Sequence, residues 1–391
     1  MRLKTIVNAY IVIYFIFATL ASYLAIFTKI KIPFIIELIP LLILPILNNF
    51  NFKIKYSDFL FVILSISCVI FLAINISDNN WIGNVEIRGI FSIAINYWLF
   101  RIIFLNYKTK EVKDTIVQVL KYSMYFMIFE FIVINIGNNS SIIENSFLSV
   151  FPERDRLYDS ILGFVKPNGI YPGTHNASIA ASLLFVYLIA SKTVKNNYHY
   201  FVAALLVFLI CFSVTGLFIS LIAVSTVYLM RQYKSIKNIL FDVFLLVFIS
   251  LVLYFVFTNY DAITAYRSSG TFEFGQKSDF GNSIYLTSIE EGINNIVNNP
   301  FGTPMAMLDF KDNEVYLSRL ISYFGISACL FLFLSIIYII AKLKSKESGV
   351  LFFSLAYLIL LLSSLHYPAM VSIPLGILIP IGFAYIAANE N

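Results

Sequence analysis

Two carboxylates, Asp312 and Glu314, stand just ahead of a long apolar run, with Asn313 between them and Arg319 just inside the run. A carboxylate placed there can take a proton from a hydroxyl group, the work of a general base. The competing reading is a helix start that favours acids through its dipole. His175 is a third candidate base, because a neutral imidazole suits the same work. Cations form the second chemical set: Arg154 and Arg156 in the run Glu153-Arg154-Asp155-Arg156, then Lys166, Arg267 and Arg319. Guanidinium matches phosphate oxygens with a planar fork, so such a set near a bilayer surface suits a phosphate or pyrophosphate. Its competing reading is a solvated loop whose charges pair among themselves.

These residues fall in two polar stretches of an otherwise apolar chain. The first covers about Gly137–His175 and the second about Thr258–Arg319. Long polar loops on a membrane scaffold are where chemistry or ligands are usually held. In the first, Lys166-Pro-Asn-Gly169-Ile-Tyr171-Pro-Gly173-Thr-His175-Asn176 carries two prolines and two glycines that fix the backbone ahead of a helix. Asn176 is expected to cap that helix, its first amides aimed outward at an anion. In the second, Ser283–Asn298 reads as an amphipathic helix with Ile284, Leu286, Ile289, Ile293, Ile296 and Val297 on its apolar side. A helix packed on the membrane surface would show the same pattern.

The 391 residues are 59% hydrophobic and 13% charged, with a mean hydropathy of +0.84. A soluble domain carries about 25% charged residues. An all-α polytopic membrane protein is therefore expected, with about twelve transmembrane helices and two long outward-facing loops. The predicted spans are 7–28, 33–48, 58–77, 86–106, 115–136, 176–191, 199–213, 215–230, 239–257, 315–341, 349–364 and 368–387. The apolar run 199–230 is too long for one helix and is expected to break at Ser213-Val214-Thr215-Gly216. The chain divides accordingly into N-terminal helices 1–136, a first outer loop 137–175, central helices 176–257, a second outer loop 258–314 and C-terminal helices 315–391. The N-terminal run resembles a signal peptide in its charge order, but it is too long and lacks a small-residue cleavage site, so it reads as the first span.

With the N-terminus in the cytoplasm, Arg2, Lys53, Lys108, Lys192, Arg231 and Lys342 fall in short inner loops, while both long loops and most acids fall outside. Both termini are then cytoplasmic. The net charge of +5 belongs to this asymmetry and does not point to nucleic acid. Cys68, Cys211 and Cys329 lie in apolar segments and read as core residues, without a disulfide or metal role.

Charge within spans is costly and is by default a functional signal. Arg101, Lys121, Glu130 and Asp242 stand out, with Glu37 a weaker candidate. Arg101 and Asp242 lie near span ends, from which they could snorkel. Glu130 is deeper, and pairing with Lys121 or Arg101 competes with a catalytic role. No repeat and no pair of broken helices is visible. The chain holds no P-loop, no dinucleotide fingerprint, no HExxH and no paired-aspartate motif for a nucleotide sugar. The expected reaction needs no cofactor, metal or nucleotide.

The layout resembles the bacterial O-antigen polymerase (Wzy-type) and O-antigen ligase superfamily. Three places carry the resemblance. Lys166-Pro-Asn-Gly169-Ile-Tyr171 with His175-Asn176 is similar to the family's Arg-x-x-Gly-x-Phe element before an Asn-led helix. Ser213–Gly216 resembles its Ser/Thr-rich helix turn. The segment ending Asn299-Pro300-Phe301-Gly302, followed by Asp312-Asn313-Glu314-Val-Tyr316-Leu317 and Tyr323-Phe-Gly325-Ile, is similar to the family's run from "nPlfG" through "HN-x-yL" to "yGi". The departures are Lys166 for the usual Arg and Asp312 for the ligase's His. The family's Arg before the amphipathic helix has no plain equivalent, Arg267 lying well upstream.

The resemblance implies a glycosyltransferase C-like fold and a polymerase, with the ligase second. The alternative from another class is a lipid-linked-oligosaccharide flippase, which should have charges within the spans and short outer loops, the reverse of this chain. It implies transfer of a growing glycan from undecaprenyl pyrophosphate onto a new lipid-linked repeat unit, at the outer face of the bacterial inner membrane. Asp312, Glu314 or His175 would be the base. Arg154, Arg156, Lys166, Arg267 and Arg319 would hold the pyrophosphate. Tyr171, Tyr266 and Tyr316 would stack on sugar rings, although each also reads as an ordinary interfacial tyrosine. The implied partners are the undecaprenyl-pyrophosphate-linked oligosaccharide, membrane lipids, a chain-length regulator and a flippase.

Overall fold

The computed structural model describes residues 5–16, 53–76, 84–105, 110–136, 160–161, 164–167, 169–171, 174–211, 214–231, 284–308, 315–365, 367–372 and 374–390. They form eleven α-helices: α1 (Thr5–Ile16), α2 (Tyr56–Ile74), α3 (Val85–Leu105), α4 (Lys110–Ile136), α5 (Thr174–Ala190), α6 (Tyr198–Cys211), α7 (Val214–Arg231), α8 (Ile284–Asn298), α9 (Tyr316–Lys342), α10 (Ser348–Ser363) and α11 (Leu378–Asn389). The exception to helix and turn is a two-residue ladder in which Ser160–Ile161 pairs antiparallel with Phe164–Val165. The expected segments 33–48 and 239–257 lie outside the described residues. The apolar run 199–230 is indeed two helices, α6 and α7.

Among the described residues, five helices are long and apolar enough to cross a membrane: Tyr56–Ile74, Glu86–Leu105, Glu111–Val133, Val194–Cys211 and Tyr316–Lys342. Their outward faces are apolar. On α2, Phe59, Val62, Ile66 and Val69 are exposed, and on α9, Ile326, Leu330, Phe333 and Ile337 are exposed. That spacing keeps each set on one side of its helix. Soluble proteins rarely leave such continuous apolar stripes in water. Hydroxyls within these helices bond to the preceding turn, as Ser65 does to the Phe61 carbonyl and Ser67 to that of Ile63, so they need no solvent.

The helices fall into two compact units. Unit 1 comprises residues 1–120 and 287–391, and unit 2 residues 121–286. In unit 1, α11 packs along α3 and α10, and α9 packs along α2. Its interior is aromatic: Phe61 stacks on Tyr97 with ring centroids 3.7 Å apart, and Phe331 and Phe383 meet Phe61 edge-on. In unit 2, α5 packs against α6 and α7. Ser182 of α5 donates to the Gly216 carbonyl of α7 at 3.0 Å, a polar tie across an apolar contact.

One end of α3 is fixed by a buried ion pair. Arg101 donates through Nε to Asp58 Oδ1 at 2.9 Å and through Nη2 to Asp58 Oδ2 and the Lys53 carbonyl. Asp58 also accepts from the Tyr97 hydroxyl at 2.5 Å and from the Lys55 amide at 2.6 Å. Both charged side chains are 3% exposed or less. Arg101, near a span end, was one of two residues that could snorkel. It is buried, because Asp58 and the Lys53 carbonyl replace the water it would otherwise seek. Nearby, Glu390 accepts from Tyr338, pairs with Lys342 at 2.6 Å, and offers its backbone carbonyl to Lys55.

Candidate functional site

The organising feature of unit 1 is a break in α9. Gly325 sits at φ 62° and ψ −148°, a conformation that glycine alone adopts without strain. An unbroken helix would bond the Ile326 amide to the Ser322 carbonyl. Here Ile326 N–H donates to Pro300 O at 2.8 Å, and Ser322 O accepts from Thr303 N–H at 2.9 Å. The 300–303 loop therefore inserts into the ladder and satisfies both freed groups. A Cβ on Gly325 would collide with the Pro300 carbonyl and come within 2.6 Å of the Gly302 nitrogen. Asn299–Gly302 and Tyr323–Ile326, two of the motif segments singled out above, thus pack backbone against backbone. Broken helices in membranes persist where neighbouring groups satisfy the freed backbone.

The loop is carried by α8, which is amphipathic as expected. Its inner side is small and polar. Gly292 lies so close to Ser318 that a Cβ would meet the hydroxyl, Asn295 donates to Ser322 Oγ at 3.0 Å, and Ser318 donates to the Ser288 carbonyl. Its apolar residues Ile289, Ile293 and Val297 are exposed. A lipid surface is the environment such an outward face suits.

Above the break, α9 begins with Tyr316 and Arg319. Arg319 Nη1 lies 2.7 Å from Oε1 of Glu86, in the first turn of α3. Asn84 caps α3 by accepting from the Glu86 and Ile87 amides, and its amide donates to the Tyr323 hydroxyl at 3.1 Å. Tyr316 is fully buried within electrostatic range of Glu86, Arg319 and Tyr323. The cluster is incompletely satisfied. Glu86 Oε2, Arg319 Nε, the Tyr316 hydroxyl and the Thr303 hydroxyl are buried without a hydrogen-bond partner.

Unit 2 holds a second polar cluster. Lys166, Pro167, Gly169 and Tyr171 are buried, although this stretch was expected to be an outer loop. Gly169 has φ +62° and donates its amide to Glu130 Oε2 of α4 at 2.5 Å. A Cβ there would strike Met127. The Tyr171 hydroxyl lies 3.0 Å from Ser123 Oγ, and its burial pushes the phenol above the usual tyrosine pKa. Lys166 is 2% exposed, and both it and Glu130 lie within electrostatic range of Cys211. Lys121, one partner expected for Glu130, donates to Asn197 at 2.7 Å and lies over the Tyr200 ring.

The candidate residues are distributed as follows. Arg319 and Tyr316 are together in unit 1. Lys166 and Tyr171 are together in unit 2, with His175 in the first turn of α5. The rings of Tyr171 and Tyr316 are fully buried, so neither offers an open stacking face. Asn176 does not cap α5, which begins at Thr174; it is the third helical residue and fully buried. Asp312, Glu314, Arg154, Arg156, Arg267 and Tyr266 lie outside the described residues, as do Asp242 and Glu37. Glu86 went unnoticed in the sequence. The signal for it was Arg319, a cation inside an apolar span that needed an acid at the matching end of another span. Among the described residues no three His, Cys, Asp or Glu side chains cluster as metal ligands, and the three cysteines are free thiols.

No protein-family model matches this chain, and none of the curated proteins is significantly similar to it.

Proposed function

We propose that the chain is a polytopic membrane glycosyltransferase of the O-antigen polymerase kind. It joins oligosaccharide repeat units carried on undecaprenyl pyrophosphate at the outer face of a bacterial inner membrane and releases the lipid pyrophosphate. The observation that carries this reading is the clasp between Asn299–Gly302 and Tyr323–Ile326. The resemblance rests on these segments, and their contact gives their joint presence a physical reason.

The chemistry follows from the residue types that the reaction needs. Departure of a lipid pyrophosphate develops negative charge, which preorganised cations stabilise. Lys166 is one such cation, held by a backbone that two prolines and two glycines shape. Arg154, Arg156 and Arg267 complete the proposed set. Asp312 or Glu314, next to the start of α9, would take the proton of the attacking hydroxyl, with His175 as the alternative. In the twelve-span topology with cytoplasmic termini, α3 and α9 both enter from outside, which assigns Glu86 and Arg319 to the outer end of unit 1.

The test is incubation of purified protein in nanodiscs with synthetic undecaprenyl-pyrophosphate repeat units, with chelator and without nucleotide, read by mass spectrometry. A ladder of multiples is expected. Transfer to a lipid-A-core acceptor without a ladder would replace the polymerase by a ligase. A cytoplasmic reporter at Gly270 would overturn the topology.

A further inference from the structure

We infer that Glu86, Arg319 and Tyr316 form a binding site for a neutral hydroxylated ligand, in carbohydrate terms a sugar ring presenting adjacent hydroxyls. The inference rests on the polymerase reading only for the name of that ligand, the acceptor sugar.

The argument starts from what the cluster lacks. Buried polar groups nearly always find partners, and one left without a partner is costly. Here a carboxylate oxygen, a guanidinium N–H and a phenol, on residues that feel one another's charge, have none. Tyr316 is 0% exposed, so bulk solvent does not serve it. Thr303, whose hydroxyl is also without a partner, is bonded through its amide to Ser322, one turn along α9 from Arg319.

The unfilled valences define the ligand. Glu86 Oε2 only accepts, Arg319 Nε only donates, and the Tyr316 hydroxyl does either. An anion such as pyrophosphate would meet the Glu86 carboxylate, and a cation would meet Arg319. The 2.7 Å pair between them leaves the site close to neutral. An apolar ligand would leave every valence unfilled. Vicinal hydroxyls each donate and accept, so one pair serves the acceptor and the donor together. Arg319 is thereby reassigned from pyrophosphate to sugar.

The scaffold supports the assignment. Asn84 fixes the start of α3 and reaches Tyr323, while the Gly325 break fixes the loop that carries Thr303. Sites on such rigid elements hold a ligand without ordering cost.

The experiment is saturation-transfer NMR on the full chain in nanodiscs, with neutral methyl glycosides of hexoses and N-acetylhexosamines as probes and inorganic pyrophosphate as the anionic comparator. At least one glycoside should bind, and Glu86→Gln and Tyr316→Phe should each weaken it by about tenfold, as loss of a bond to a charged or buried group predicts. Pyrophosphate binding should not change. Tyr316→Phe removes an oxygen that has no partner, so its melting temperature should equal or exceed the parent's, which keeps the test clear of misfolding. Absence of binding by every glycoside, binding indifferent to both variants, or loss of pyrophosphate binding would each overturn the proposal. A lowered melting temperature for Tyr316→Phe would also overturn it, because an ordered water would then be the hydroxyl's partner. Glycoside binding needs no turnover, so a protein that binds glycosides yet forms no ladder keeps this site and loses the polymerase.

Discussion

The two ends of α3 each carry an arginine–carboxylate pair, one buried and one half-buried, and the two pairs are built differently. Asp58–Arg101 is closed: both carboxylate oxygens and two guanidinium nitrogens are used, and a tyrosine and two backbone groups finish the shell. Glu86–Arg319, about 22 Å away along the helix, is open: one contact is made, side-chain exposure rises to 15% and 21%, and valences remain. The same two functional groups thus serve as a fastener at one end and as a receptor at the other. Completion of the hydrogen-bond shell separates the two roles, and charge alone does not.

Substitution can break that contrast. The largest effect is expected for Asp58→Ala, which leaves Arg101 buried and unpaired at a cost of about 3–5 kcal/mol; a comparable drop in thermal stability for Glu86→Ala would erase the difference. Gly325→Ala comes next at about 2 kcal/mol, because alanine must leave this backbone conformation and displace the Pro300 carbonyl. It should lower the melting temperature and repeat-unit elongation together, since the loop and α9 move as one. Glu86→Gln should cost about 1 kcal/mol or less, as partly exposed pairs do, while elongation falls at least tenfold. Equal proportional losses of stability and elongation would mark Glu86 as a fastener after all. The smallest effect is expected for Tyr338→Phe, about 1 kcal/mol, with elongation unchanged; a loss of elongation would extend the functional region to the closed end.

Much of the helical layout was legible, because apolar runs and their polar breaks state where helices begin and end. The amphipathic pattern of Ser283–Asn298 located α8 to within a residue. Its orientation was hidden, since nothing local says that Gly292 and Ser288, and not the isoleucines, face the protein. The break at Gly325 was hidden as well. A lone glycine in an apolar run is compatible with an intact helix, and the Pro300 carbonyl that replaces the lost bond is distant in sequence. Lys166 was singled out for its charge, but its burial is a tertiary event, as is the bond from the nearby Gly169 amide to Glu130. Glu86 was overlooked because an acid in a first helical turn has an ordinary explanation in the helix dipole.

The interleaving of the two units sets the order of assembly during synthesis. Unit 1 takes its helices from both sides of unit 2, so its amino-terminal part must await the return of the chain. Asp58 and Arg101 belong to neighbouring helices and can neutralise each other as soon as both have emerged from the ribosome. Among the described residues, the cation that meets Glu86 is Arg319. This partner follows only after the whole of unit 2, so during that interval a carboxylate at the head of α3 faces the insertion machinery or the interface without it. A ribosome paused before Arg319 should therefore leave α3 shifted toward water at that end, and release of the stall should draw it in.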